Sequence, residues 1–154
     1  MFLVFGGLEE ELSIKCYTDA GFQTDRDDSR SQSGYVFVMN GGAVDWKSSK
    51  QSVVTLSSSE SEYIAASEAG QEAMWIKKFI SDLGVVPSID GPLPIYCDNS
   101  AAITLAREPR SQRGLRHIER KFHYIREIIE KGGVEILKVH TDDNLADPFT
   151  KALS

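Results

Sequence analysis

Two runs rich in β-forming residues, Gly34 to Met39 and Ala43 to Lys47, are joined by Asn40-Gly41. An Asn-Gly pair between such runs is the strongest short hairpin signal, because a tight two-residue turn needs positive φ at both central positions. Upstream, residues 12 to 19 alternate, with Leu12, Ile14 and Cys16 on one side and Lys15, Tyr17 and Asp19 on the other. That is the period of a half-buried strand. A polar stretch from Gly21 to Ser33 separates this strand from the hairpin, so three antiparallel strands are expected.

The period then changes. Ser59 to Leu83 is helical, opened by Ser59-x-x-Glu62 in the form of a capping box and closed by Gly84 with Pro87 beyond. Pro92 to Asp98 is a short strand, capped by Asn99 or Ser100 into the helix Ala101 to Arg107. Leu115 to Lys131 is helical, with Ile118, Phe122, Ile125 and Ile129 as its stripe, and it stops at Gly132-Gly133. Val134 to His140 is a fifth strand, and Asn144 to Leu153 a short helix that tolerates Pro148 only in its first turn. The order β-β-β-α-β-α-α-β-α describes an α/β fold.

With 154 residues, 41% of them hydrophobic, one compact domain is the expectation. Residues 1–11 read as a residual connection to an upstream segment, and residues 12–154 as the domain. Two cysteines, Cys16 and Cys97, and the lack of a signal sequence or a long apolar run predict an intracellular chain with reduced thiols and no membrane. Cytoplasm, virus-like particle and nucleus all fit. A net charge of −6 excludes a broad positive field for nucleic acid, so any such site is local or uses metal ions.

The acidic residues are placed with purpose. Tyr17-Thr18-Asp19 and Tyr96-Cys97-Asp98 each put Asp two residues after Tyr, so adjacent parallel strands would present both carboxylates at one end. On the long helix, steps of three and four from Glu62 land on Ala65, Ala69, Ala73, Ile76, Ile80 and Leu83, whereas Glu60 leads to Ser67, Gln71, Lys78 and Asp82. Glu62 therefore faces the core and Glu60 faces water. Asp147 is the fourth candidate. Turn or cap roles suit Asp19, Asp98 and Asp147 equally well on local grounds, and a capping box suits Glu62. Two carboxylates ~4 Å apart repel by roughly 4 kcal/mol at an effective dielectric of 20, so four that converge need cations.

Several blocks together resemble the ribonuclease H domain of copia-like retrotransposon polyproteins. They are Cys16 to Ala20, Ser31 to Phe37, Trp46 to Gln51, Ser58 to Ala65, Tyr96 to Asn99, His117 to Glu119, Arg120 to Arg126, and Leu145 to Lys151. The resemblance implies a five-stranded mixed sheet, three antiparallel strands then two parallel, with helices on both faces. It implies cleavage of RNA paired to DNA, two Mg²⁺ ions (Mn²⁺ able to substitute) on Asp19, Glu62, Asp98 and Asp147, and a neighbouring reverse transcriptase domain in the parent polyprotein. Asp19 is the best candidate to bridge both ions. His140 is similar to the mobile-loop histidine of cellular ribonucleases H. Candidate contacts to the hybrid are Lys47, Ser48, Ser58, Asn99, Arg116 and Arg120, the last two expected on one helical face with His123. His117 and His123 lack a zinc-site partner and read as structural or near phosphate. The competing expectation is a catalytically silent remnant or captured domain that binds nucleic acid or a partner protein.

Overall fold

The computed structural model describes residues 12–108 and 118–151. At its centre is a five-stranded mixed sheet in the order β3-β2-β1-β4-β5. The strands β1 (Ile14–Gly21), β2 (Gln32–Met39) and β3 (Gly42–Lys50) form an antiparallel meander, and β4 (Leu93–Cys97) and β5 (Val134–Lys138) extend it in parallel from β1. Asn40 and Gly41 have φ of 50° and 75°, the left-handed pair the hairpin demands. β2 and β3 run beyond their apolar residues: Gln32, Ser33 and Gly34 pair with Lys50, Ser49 and Ser48, so the ladder carries polar residues into the sheet.

The long helix, α1 (Ser58–Leu83), begins with a different cap from the one expected. Ser57 is the N-cap, accepting from the Glu60 amide at 3.2 Å, and the Glu60 carboxylate accepts the Leu56 amide at 2.8 Å. Capping thus falls to Ser57 and Glu60, not Ser59 and Glu62, and leaves Glu62 free of that duty. Ala65, Ala69, Ala73 and Ile76 are buried as the stripe predicts, but Leu83 is exposed. Ser67, expected on the water side, is buried because the segment around Phe122 covers it; its hydroxyl donates to the Phe122 carbonyl at 2.6 Å.

α2 (Ser100–Arg107) starts on Asn99, whose Oδ1 accepts the Ala102 amide at 2.9 Å. The helix expected from Leu115 to Lys131 is shorter. Glu119 has ψ of 140°, Arg120–His123 is a 3-10 turn, and only α3 (Tyr124–Glu130) is α-helical; residues 115–117 lie outside the described residues. Ile118, Phe122 and Ile125 are buried all the same, with Ile128 deeper than the expected Ile129.

Strand alternation sorts the two faces of the sheet. Ile14, Cys16, Tyr35, Phe37, Leu93, Ile95 and Cys97 join the core beneath α1, α2 and α3, which pack on one another. Tyr17, Asp19, Gly34, Val36, Tyr96 and Asp98 therefore fall on the opposite face. There the C-terminal segment lies so close that a Cβ on Gly34 would stand 2.8 Å from Phe149 Cβ. Instead of a terminal helix from Asn144, this segment makes two 3-10 turns, Thr141–Asp143 and Asp147–Phe149, and the Asn144 side-chain Nδ2 donates to the Thr18 carbonyl at 3.0 Å. Residues 152–154 are outside the described residues. No helix among the described residues is long and apolar enough to cross a membrane.

Candidate active site

β1 pairs with β4 so that Cys16 faces Ile95 and Tyr17 faces Tyr96; two residues further, the same offset brings Asp19 level with Asp98. Tyr17 and Tyr96 stack with ring centroids 5.1 Å apart and tie the two strand ends together. Asp19 is only 6% exposed, and the buried Thr150 hydroxyl donates to its Oδ2 at 2.6 Å. Glu62, also 6% exposed, reaches the same point from α1 and hydrogen-bonds Asp19. One ligand atom each from Glu62, Cys97 and Asp98 lie within 4.8 Å of one another.

Asp147 stands at the rim. Together with Asp19, Asp98, Ser48, Thr150 and Lys151 it lines an open groove of about 780 Å³. Its Oδ2 lies 2.6 Å from Lys151 Nζ, an ion pair one helical turn along the chain. Four carboxylates from β1, α1, β4 and the C-terminal turn thus share one end of the sheet. Three of them are clustered, and the fourth is held toward a lysine.

Charge crowding shows in their protonation. Burial first, then Asp19 and Asp98, push Glu62 up to about 9. Burial also raises Asp19, against the hydrogen bonds from Thr150 and Glu62 that lower it. A carboxyl at about 9 keeps its proton near neutral pH, so Glu62 is the donor toward Asp19. Its Oε2 is buried without a hydrogen-bond partner, which is costly and rare. A hard divalent cation fits this donor set, because it takes carboxylate oxygens, replaces the proton and satisfies the orphaned oxygen.

No family model matches the chain. The retrovirus-related Pol polyprotein from transposon TNT 1-94 of Nicotiana tabacum is 39% identical over 151 residues, which is 98% of this chain and 11% of the relative. The corresponding polyprotein from transposon RE2 of Arabidopsis thaliana is 36% identical over 143 residues, 93% of this chain and 10% of the relative. The chain spans about a tenth of the length of these polyproteins. LC11 ribonuclease H1, isolated from compost, matches with a TM-score of 0.60 at 19% identity, covering 89% of this chain and 91% of that one. A structure of the same protein in complex with an RNA/DNA hybrid matches with a TM-score of 0.60 at 17% identity, covering 89% and 93%. Along nearly its whole length this chain is related to one segment of retrovirus-related Pol polyproteins, and it has the ribonuclease H fold.

In this ribonuclease H-fold domain the remaining candidates are dispersed. Ser48 lines the groove and donates to the Phe149 carbonyl at 2.5 Å, while Lys47, Ser58 and Arg120 are exposed. The Asn99 side-chain Oδ1 caps α2. Arg116 and His117 lie outside the described residues, so the expected basic face is represented by Arg120 alone. His123 instead pairs with the Tyr63 hydroxyl at 2.8 Å, and Arg126 donates to the Leu105 carbonyl at 2.8 Å, both as internal ties. His140 is exposed and does not line the groove; its Nδ1 accepts from the Asp142 amide at 3.2 Å. Sequence reasoning passed over Thr150 and Lys151 as members of the site, and Cys97 as a neighbour of it. The first two sit in the Leu145 to Lys151 block, but the Thr150 to Asp19 bond spans 131 residues and leaves no local spacing to read.

Proposed function

We propose that this domain hydrolyses the RNA strand of RNA–DNA hybrids endonucleolytically, with two divalent cations held by Asp19, Glu62, Asp98 and Asp147. The observation that carries the proposal is the buried carboxyl cluster in which Glu62 must hold a proton and still leaves Oε2 without a partner. A carboxyl shifted by burial together with neighbouring charge, at the edge of a groove, marks a functional-site candidate. The polyprotein relatives and the hybrid complex of LC11 ribonuclease H1 support the same reading.

When bound, Mg²⁺ or Mn²⁺ supplies Lewis acidity at the scissile phosphate and lowers the pKa of water. The chain's own groups prepare that chemistry. Glu62 would hold such a cation once its proton had passed to solvent, and the Thr150 hydroxyl fixes the Asp19 carboxylate in one orientation. Asp147, paired with Lys151, would hold a cation from the rim, and the Lys151 ammonium lines the same groove, where phosphate would lie. Ser48, Lys47 and the first amides of α1 at Ser58 contact the backbone, so shape and the 2′-hydroxyl, not base identity, select the RNA strand. In the parent polyprotein a reverse transcriptase domain delivers the hybrid.

The test is cleavage of labelled RNA–DNA hybrid, single-stranded RNA and double-stranded DNA with Mg²⁺, Mn²⁺ or EDTA. The proposal expects hybrid cutting that EDTA and Asp19→Asn abolish. An intact hybrid with folded protein and either metal would leave the silent-domain reading in its place.

A further inference from the structure

We infer that Glu62, Cys97 and Asp98 form a site for a thiophilic divalent cation such as Zn²⁺ or Cd²⁺, overlapping the site of the hard cation and excluding it. Cys97 ends β4 with its side chain on the core face beneath α1, and Asp98 follows on the opposite face at the groove. The sheet ends between them, so Glu62 from α1 can meet both. One donor atom from each residue lies within 4.8 Å of the others. Glu62 is 6% exposed, and its Oε2 is buried without a hydrogen-bond partner, so the carboxyl has an oxygen left to give a ligand.

The donor set decides which metal. Mg²⁺ takes oxygen ligands and keeps its waters, so the Cys97 sulfur is irrelevant to it. A thiolate beside carboxylates favours Zn²⁺ and its heavier congener. Bonds of about 2.3 Å to sulfur and about 2.1 Å to oxygen set the donors of one ion closer together than the 4.8 Å that bounds these three. Three protein donors also leave a fourth position for water. The Cys97 Sγ makes only a long 3.8 Å contact to the Asn99 carbonyl, a weak bond to give up. On binding, the thiol and Glu62 each release a proton to solvent, and three anionic donors then surround a doubly charged cation. Burial pushes the thiol up to about 12, so without metal Cys97 is a poor nucleophile.

Binding itself does not depend on the nuclease proposal, whereas its consequence, inhibition of hybrid cleavage by Zn²⁺, rests on that proposal. Cd²⁺ titrated into metal-free protein, read by the ultraviolet thiolate-to-Cd²⁺ charge-transfer band, tests the site. The band is expected in the parent chain and in Cys16→Ser, and is expected to vanish in Cys97→Ser. Cys97→Ser is also expected to lose Zn²⁺ affinity by more than the roughly tenfold that removing an outer-sphere partner costs, with Mn²⁺ affinity within about twofold of the parent. Circular dichroism checks folding, and Cys97→Ala gives the same comparison if the serine variant does not fold. No band in the parent, or an equal band in both Cys97 variants, overturns the inference. If no protein cleaves hybrid but the band follows Cys97, the nuclease proposal fails and the soft-metal site stands. If cleavage occurs and Zn²⁺ inhibits Cys97→Ser as strongly as the parent, the claim of mutual exclusion fails.

Discussion

Asp19 depends on a hydroxyl that lies at the other end of the chain. Thr150 is 5% exposed and donates to Asp19 Oδ2 at 2.6 Å, a short bond to a buried acid. Thr150→Val keeps the shape and removes the donor. It should weaken Mn²⁺ binding by roughly tenfold or more, and Thr150→Ser should restore it; equal affinities in all three chains would reduce Thr150 to packing. Glu62 has the opposite burden. Its folded pKa stands above its ordinary 4.5, so in EDTA this group stabilises the fold fully below about pH 4.5 and loses that contribution as pH rises through about 9. Glu62→Gln should flatten that fall and stabilise the metal-free protein at alkaline pH by roughly 1–3 kcal/mol in urea unfolding. An unchanged pH slope would mean that Glu62 is not the strained group. Asp19, Asp98 and Glu62 were legible because strand and helix periods are local rules, whereas the partner of a hydroxyl is settled only by the finished fold.

At the scale of elements, the C-terminal segment fixes the fourth carboxylate through a single small residue. A Cβ on Gly34 would meet Phe149 Cβ at 2.8 Å and Thr150 Cγ2 at 2.9 Å, and both belong to the turn that bears Asp147. Gly34→Ala should therefore lower stability by roughly 1–3 kcal/mol and weaken Mn²⁺ binding together; loss of stability alone, with binding intact, would uncouple the turn from the site. The hairpin was readable because Asn40-Gly41 suits a conformation few other pairs adopt. Caps were harder, since Ser57, Ser58 and Ser59 are chemically alike and only the chain's entry into α1 selects among them. The segment before α3 misled for a related reason: 3-10 and α turns both bring residues three apart to one side, so Phe122 and Ile125 are buried in either.

For the whole molecule, the net charge of −6 offers phosphate no broad positive field, and the groove itself carries Asp19, Asp98 and Asp147 against Lys151, so cations are needed there. The central claim is that side chains distant in the chain meet to hold divalent cations, with Glu62 and not Glu60 on the inside. Calorimetric titration of metal-free protein with Mn²⁺ near neutral pH, in buffers of different protonation enthalpy, tests it most directly. The parent should bind with release of about one proton, Glu60→Gln should match it, and Glu62→Gln should lose well over about tenfold in affinity together with the proton release. Glu62→Gln binding like the parent, or Glu60→Gln losing as much, would contradict the account.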